Sequence, residues 1–393
     1  MKKFKYTIIL ILLIPLLTSC WSRKELNELA ITTGLAIDKQ DDNYLITAQV
    51  LNPSEIATSQ QTSSRLPIVT FTRTGQTIFE ALRNLTHESP RRLYLSHVRM
   101  VILGEEVALE GIQEVLDFIS RDHEMRTDFY IAVAKGQEGR EVLKVLSPLE
   151  KIPTMRMFNS IETASKNIAT VKGVHLDELI TKIITKGINP VLTGIYVKGP
   201  KDIGNDIANV EKIDPPTSMQ TDYLAAFKED KLVGWLTKDE SKGLKYIEND
   251  VTNTIITIPC EDGKLSIELY NVSSSVEGSV SNGSPKVKIK LRSEGIIGEV
   301  QCKLDLTKPE TLEELNKKIE ENQKEKIQEV VDRAQKDLKS DILSFGSAIH
   351  RADPKGWKSL SEKWDEEFPT VEVEYDIKAD IRRLGTISES FQK

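Results

Sequence analysis

The sequence predicts a multidomain α+β protein with an N-terminal mixed α/β domain, a small and mostly helical middle domain, and a C-terminal antiparallel sheet packed with a long helix. Strand-like and helix-like apolar patterns alternate over 20–150, helical spacing dominates 151–205, and the last third combines hairpins with one long apolar stripe. We therefore expect domains at 20–150, 151–205 and 217–393, with a polar linker at 206–216.

The predicted N-terminal domain begins with a hairpin, because two alternating segments, 29–38 and 44–51, flank a polar turn. Thr77 and Glu80 could form a capping box for a helix that carries Ile78, Phe79, Leu82 and Leu85. Further strands and a second helix follow in alternation. These elements are the strands 68–73, 96–104 and 128–136, and a helix over 108–119.

The later elements are read in the same way. The middle domain is predicted to hold a helix over 176–184 and a strand over 191–199. In the C-terminal domain we expect a hairpin around 228–230, a second turning at Asp262 and Gly263, and a helix over 310–340 with Thr307 and Glu310 as its capping box.

Two predicted strands of the C-terminal domain have complementary polar faces. One carries Lys286, Lys288, Lys290 and Arg292, and the closing strand carries Glu372, Glu374 and Asp376. Opposite charges across neighbouring strands stabilise a sheet by about 0.2–1 kcal/mol per pair. We therefore predict that these strands are antiparallel neighbours.

The chain opens with a basic segment and a short apolar run, followed by Leu-Thr-Ser-Cys at 17–20. The run covers 6–17, whereas a spanning helix needs roughly 17–25 apolar residues. We interpret 1–19 as a cleaved lipoprotein signal peptide and Cys20 as the lipidated residue, carrying S-diacylglyceryl and N-acyl groups. The alternative is a plain buried cysteine beside a failed membrane segment.

Leu29, where the first strand is predicted to start, lies only nine positions after Cys20. That length reaches at most ~30 Å when fully extended. The first domain should therefore lie close to the bilayer surface, where it could meet a membrane-embedded partner.

Composition argues against a nucleic-acid partner. The formal net charge of −7 becomes −10 once the three lysines of the signal peptide are removed, and binding to nucleic acid requires clustered Lys and Arg. Cys260 and Cys302 remain as the other cysteines. Two separate buried thiols are favoured over one disulfide, which is the alternative for an exported chain.

No catalytic or metal motif emerges. His87 and His123 are each followed by Glu, but the position four residues after each histidine holds Arg91 or Thr127 rather than the second His of a zincin helix. We predict no catalytic, cofactor-binding or metal-binding residues, and no enzyme activity. Trp357 and Trp364 lie one heptad apart on one helix face, which favours core packing over a binding surface.

Four stretches resemble the Ger(x)C family of spore-germination lipoproteins. The segment Cys-Trp-Ser-Arg-Lys-Glu-Leu-Asn after 19 resembles the family's opening, although Ser22 stands where an acidic residue is common. The others are SHVRMVILGEEVALEGIQEVLDFISRDHEMR at 96–126, KLVGWLTKDESKGLKYI at 231–247, and the C-terminal signature at 341–385.

This resemblance implies a non-enzymatic C subunit of a nutrient germinant receptor, assembled with membrane-embedded A-type and B-type subunits. It implies a lipid anchor at Cys20 on the outer face of the inner spore membrane, with a role in assembling or coupling the receptor. The alternative is an extracytoplasmic solute-binding lipoprotein that captures a germinant or another solute itself.

Overall fold

The computed structural model describes residues 28–57, 66–281 and 283–383. The predicted signal peptide and Cys20 lie outside these residues. The strands of the described chain are β1 Leu29–Gln40, β2 Asn43–Leu51, β3 Ile68–Gly75, β4 Arg92–Tyr94, β5 Met100–Gly104, β6 Tyr130–Ala134, β7 Val191–Lys198, β8 Ser218–Lys228, β9 Lys231–Leu236, β10 Thr254–Cys260, β11 Gly263–Ser281, β12 Ser284–Val300 and β13 Glu372–Arg383.

The α-helices are distributed along the whole described chain, and several short 3₁₀ turns accompany them. They are α1 Pro53–Ala57, α2 Ile78–Asn84, α3 Glu105–Glu110, α4 Gln113–Arg121, α5 Gly139–Leu143, α6 Pro153–Asn167, α7 Leu176–Ile184, α8 Ile207–Val210, α9 Lys238–Ile247, α10 Pro309–Asp332, α11 Phe345–Ala352, α12 Pro354–Leu360 and α13 Trp364–Glu367. The mixture of helices and two sheets confirms the predicted α+β class.

The first sheet has nine strands in the order β3-β2-β1-β5-β6-β7-β8-β9, with β4 paired to the start of β1. The pairings among β4, β1, β5, β6 and β7 are parallel, whereas each flanking strand, β2, β3, β8 and β9, is antiparallel to the strand on its inner side. Helical crossovers connect the parallel strands, as their common direction requires.

Helices cover both faces of this sheet because the central strands are apolar on both sides. Leu35 and Ile37 pack towards α2, α3, α4 and α7, while Ala36 lies on the opposite face with α5 and α6. Successive side chains of a strand point to opposite faces, so near-continuous apolar runs such as Met100–Gly104 can fill two cores.

The residues of the predicted middle domain share the core of the first sheet. Met157 and Ile161 of α6 pack with Ala36 on one face, and Leu176 and Leu179 of α7 pack in the core of the other. Because β7 also pairs with β6, the segment 151–205 builds on the first sheet rather than enclosing a core of its own.

The hairpin of β8 and β9 also belongs to the first sheet, although it was predicted in the C-terminal domain. Leu192 of β7 pairs with Ala225 of β8. The predicted linker 206–216 is partly packed, since Asn209 is buried, donates to the Thr217 carbonyl at 3.0 Å and accepts from its N–H at 3.1 Å. The hairpin extends the first sheet at β7. Its residue pattern predicts a hairpin but does not specify which sheet the hairpin joins. The domain limits themselves remain a prediction.

The second sheet has four strands in the order β10-β11-β12-β13. Its inner face, which includes Val287, Ile289 and Leu291, packs in one core with Ile319 and Ile327 of α10. The lysines between these residues are only partly buried and point the other way. The predicted long helix packed on a C-terminal sheet is therefore present.

The charged strands are neighbours, as predicted, but they run parallel rather than antiparallel. Lys286 pairs with Glu372 and Lys288 with Glu374 in the register of β12 and β13. The chain between these strands contains α10, and this crossover returns it in the direction of β12, which is what a parallel pair requires.

Each edge strand of the second sheet has fewer free backbone N–H groups than an open edge would offer. The outer strand β13 donates its Ala379 and Ile381 N–H groups to side chains of α10, Glu320 at 3.3 Å and Asn316 at 3.0 Å. The opposite edge strand, β10, contains Pro259, which has no N–H to donate.

Cys260 and Cys302 form a disulfide, with their Cα atoms 6.3 Å apart. The preference for two separate thiols was therefore wrong. Cys260 ends β10 and Cys302 follows β12, and both strands pair with β11. The sheet therefore brings together two residues that are 42 positions apart in sequence.

Helix starts differ in how well they were predicted. Thr77 caps α2 by accepting from the Glu80 N–H at 3.1 Å. The capping box predicted for Thr307 and Glu310 is wrong: Lys308 is the N-cap, and the Thr307 hydroxyl donates to Asp305.

Candidate functional site

A groove of about 1000 Å³ lies between helices α2 and α4. Its floor is formed by buried leucines, including Leu82 of α2, Leu93 of β4 and Leu95. Phe79 and Phe118 also line it and contact each other, with ring centroids 6.3 Å apart. The groove is therefore apolar at its base and between its two helices.

The exposure of Phe79 follows from helix geometry. Ile78, Leu82 and Leu85 have the spacing of one buried helix face, and Phe79 lies about 100° around the axis from Ile78. Its side chain is 50% exposed, with the Arg83 guanidinium 4.9 Å from the ring centroid. Phe79, which the sequence placed on this helix, therefore lies outside its buried face, and its adjacency to Ile78 was the available signal.

Charged groups at the rim of the groove are paired within the chain. Arg92 forms an ion pair with Glu124, and the Arg121 Nε lies 2.8 Å from Asp117. The Tyr44 hydroxyl donates to Glu114, and Asp122 accepts from the Glu124 and Met125 N–H groups. The rim thus presents pairs of opposite charge and no large excess of either sign.

The groove adjoins the beginning of the first strand. Leu29 of β1 pairs with Arg92 of β4, and Ala30 pairs with Leu93. Arg92 and Leu93 both line the groove. The place where the described chain enters the sheet is therefore next to the groove.

A second feature is the buried carboxylate of Asp341, which lies where the two halves of the molecule meet. It accepts hydrogen bonds from the Phe345 N–H at 3.0 Å, the Gly346 N–H at 2.8 Å and the Trp364 Nε1 at 2.9 Å. Burial raises the pKa of Asp341 to about 6, although these donors oppose the shift. One side chain thus holds the start of α11 and an indole in place.

Backbone contacts from the same segment reach the first sheet. The Asp341 carbonyl accepts from the Asn189 N–H at 2.8 Å, and the Ser340 hydroxyl donates to the Phe227 carbonyl. Trp357 and Trp364 are buried beside this junction in an edge-to-face contact, with centroids 5.1 Å apart. Their predicted role in core packing is confirmed, but they lie on two short helices, α12 and α13, and not on one helix face as predicted.

A third feature is a cluster of charges at the same junction. Glu248, at the end of α9, lies 2.9 Å from both Lys172 and Lys182, and Lys172 also lies 3.0 Å from Glu178. Burial alone would raise the pKa of Glu248, but the two lysines outweigh it and lower the pKa to about 2. These residues carried no sequence motif, since the fold brings them together from distant segments.

The histidines are dispersed over the described chain. His87, His97 and His123 are exposed. The His175 Nδ1 lies 2.9 Å from the Phe129 carbonyl, and His350 stacks on Trp357. Among residues 28–57, 66–281 and 283–383, no group of three or more His, Cys, Asp or Glu side chains could hold a metal ion.

Within the described part of the chain, no helix is both long enough and apolar enough to cross a membrane. The single predicted site residue, Cys20, lies outside these ranges.

Comparison with known families matches both halves of the chain. Residues 22–197 match the model described as "Spore germination protein N-terminal domain", and residues 222–385 match "Spore germination B3/GerAC like, C-terminal". The chain belongs to this family of spore germination proteins, the Ger(x)C family that its sequence resembles.

Individual relatives agree over nearly the full length. Spore germination protein KC of Bacillus subtilis (strain 168) is 29% identical over 98% of this chain and 96% of its own. Spore germination protein B3 of the same organism is 24% identical over 98% of this chain and 99% of its own. The crystal structure of the GerBC protein has the same fold, with a TM-score of 0.55, 21% identity, and coverage of 89% of this chain and 97% of that one.

Proposed function

We propose that this chain is a lipid-anchored, non-enzymatic subunit of a spore nutrient germinant receptor. It assembles with the membrane-embedded A-type and B-type subunits and stabilises or couples them. The observation that carries this proposal is the pair of consecutive spore-germination family matches, which together span both halves of the chain. The names of the relatives, KC, B3 and A3, point the same way.

The proposed anchor is Cys20, with lipid replacing residues 1–19 and the body held on the outer face of the inner spore membrane. Support comes from the Leu-Thr-Ser-Cys stretch after a basic and apolar segment. Each buried methylene contributes about 0.8 kcal/mol, and two or more acyl chains are needed for stable anchoring.

Replacement of the anchor tests this localisation. We expect Cys20→Ala to lose stable membrane retention, because the residue that would carry the lipid is removed, while its circular dichroism matches that of the parent. Fractionation of spore membranes provides the measurement, with Ser22→Ala as a control that keeps the cysteine. Full membrane retention of the Cys20→Ala protein would contradict a lipid anchor at this position.

Co-purification tests the complex. Full-length protein solubilised in mild detergent should recover both membrane subunits encoded with it, while a tagged unrelated lipoprotein should recover neither. Failure to recover either subunit, although all three proteins are present in the membrane, would contradict the proposal.

The solute-binding alternative predicts a different result. Calorimetry of the body, residues 21–393, against amino acids and sugars should give no saturable heat if the chain is an interaction subunit. Saturable, stoichiometric binding of one such solute would favour the alternative.

A further inference from the structure

We propose that the groove between α2 and α4 is a docking site for an amphipathic helix of a membrane-embedded partner, presented at the bilayer surface. This inference rests on the proposed function and specifies one contact surface for it. The occupant is a partner helix that contributes an apolar stripe.

The apolar lining calls for an apolar occupant. Phe79 is 50% exposed and Phe118 is partly exposed, above the buried Leu82, Leu93 and Leu95. Contiguous apolar surface with a polar rim marks a site of interaction in a soluble body. Aromatic side chains in such a position are the residue type that most often dominates binding energy.

The rim disfavours a charged small molecule. Arg92 is paired with Glu124 and Arg121 with Asp117, while Glu114 accepts from Tyr44. A zwitterionic solute would have to break these contacts to gain its own. A helix with apolar side chains towards the floor can leave them in place, and its polar flanks can meet a rim that carries both signs.

The lining limits how a helix can bind. It includes Phe79 and Leu82 of α2, Thr86 just after α2, and Glu114 and Phe118 of α4. The contacting rings of Phe79 and Phe118 leave no space between them for a helix about 10 Å wide, so a bound helix would pack across this pair. The nine residues of α4 are about 14 Å long, which is the length of two to three turns of a bound helix.

The location of the groove supports a partner at the membrane. Leu93 lines the groove and pairs with Ala30 at the start of β1. Cys20 is nine residues before Leu29, so the lipid is within ~30 Å of extended chain from the first strand. A membrane-embedded subunit that exposes a helix at the surface would therefore meet this side of the first sheet.

Photocrosslinking provides a direct test in the full-length protein, reconstituted with the two membrane subunits. A benzophenone amino acid in place of Phe79 should crosslink to one defined segment of a membrane subunit. The same probe in place of Ile255, which is 59% exposed on the second sheet, should not give that product. Crosslinks from position 79 that go only to lipid, or that match those from position 255, would overturn the proposal.

A substitution gives an independent test of the same surface. Phe79→Ser should reduce recovery of the membrane subunits by about tenfold or more, as expected for an interface aromatic, while Ile255→Ser should not. Both variants should keep the parent circular dichroism, because each side chain is at least half exposed. Parent-like recovery with Phe79→Ser would contradict the docking site.

The two proposals fail in different ways. If the parent protein recovers neither membrane subunit, both proposals fail. If the parent recovers them and Phe79→Ser does so equally well, only the docking site fails. Saturable binding of a free amino acid or sugar that Phe79→Ser abolishes would instead identify the groove as a solute site and overturn the helix proposal.

Discussion

At the scale of single residues, Asp341 links several parts of the molecule. Its carboxylate accepts from two backbone N–H groups at the start of α11 and from the Trp364 indole, and its carbonyl accepts from Asn189 of the first half. The sequence placed Asp341 in a family signature but gave no reason for its identity. Those donors come together only in the folded chain, so local patterns could not predict the role.

Removal of this carboxylate should be costly. We expect Asp341→Ala to lower the free energy of unfolding by about 2–4 kcal/mol, because two N–H groups and an indole lose their buried acceptor. Urea unfolding at pH 7 provides the measurement. Asp337→Ala is a suitable control, since Asp337 is 58% exposed in its pair with Arg333 and should cost less than about 0.5 kcal/mol. Equal effects of the two changes would contradict the role of Asp341.

A pH-dependent effect is expected from Glu248, whose pKa lies at about 2 in the folded chain against an ordinary value of 4.5. A lowered pKa means that the carboxylate stabilises the folded state above pH 4.5 and that this contribution is lost as the pH falls through about 2. The difference in unfolding free energy between parent and Glu248→Gln should therefore shrink by up to about 3 kcal/mol over that range. Urea titrations at several pH values measure it. A pH-independent difference for Glu248→Gln would contradict the assignment.

At the scale of elements, the alternation and spacing of apolar residues predicted where most strands and helices lie. They did not predict the direction of a strand or which strand it pairs with. The alternating lysines of β12 correctly predicted a one-sided strand beside β13. The parallel direction depends on the crossover through α10, and the pairing of β8 with β7 depends on which sheet edge is free. These are properties of assembled elements. Similarly, the groove needs α2 and α4 to lie side by side, which neither helix pattern contains.

The charged ladder between β12 and β13 should contribute modestly to stability. Lys286 and Glu372 lie 2.7 Å apart, with 42% and 61% of their side chains exposed. We expect a small favourable coupling between Lys286→Glu and Glu372→Lys in a double-mutant cycle, weakening as salt is added. Combining Lys286→Glu with Asp380→Lys, eight positions further along β13, should give none. Equal coupling in the two cycles would show that it arises from the net charge of the protein and not from the contact between Lys286 and Glu372.

At the scale of the whole molecule, one core joins the two sheets. Val191, Leu224 and Leu236 of the first sheet pack in the same cluster as Ile327 and Leu338 of the C-terminal half. The match to the N-terminal family model ends at 197 and the match to the C-terminal one begins at 222, and the linker predicted at 206–216 lies in that interval. The core nevertheless continues across it, because apolar faces from both sides of the boundary bury one another.

This shared core should make unfolding cooperative. We expect a single calorimetric transition for residues 21–393. Trp357→Ala should lower the midpoint of that whole transition, because the indole packs against Gly187 from one half and Gly346 from the other, and removal of a buried Trp costs about 3–5 kcal/mol. Two resolved transitions in the parent, with only one shifted by Trp357→Ala, would contradict a common core.

The edges of the second sheet have a consequence for contacts between copies of this protein. An open sheet offers unpaired strands that neighbouring copies can join, which is a common route to aggregation. Here α10 occupies two donors of β13, and Pro259 removes one from β10. Copies of the protein that collide therefore find fewer free N–H groups at these two edges, which disfavours polymerisation through this sheet.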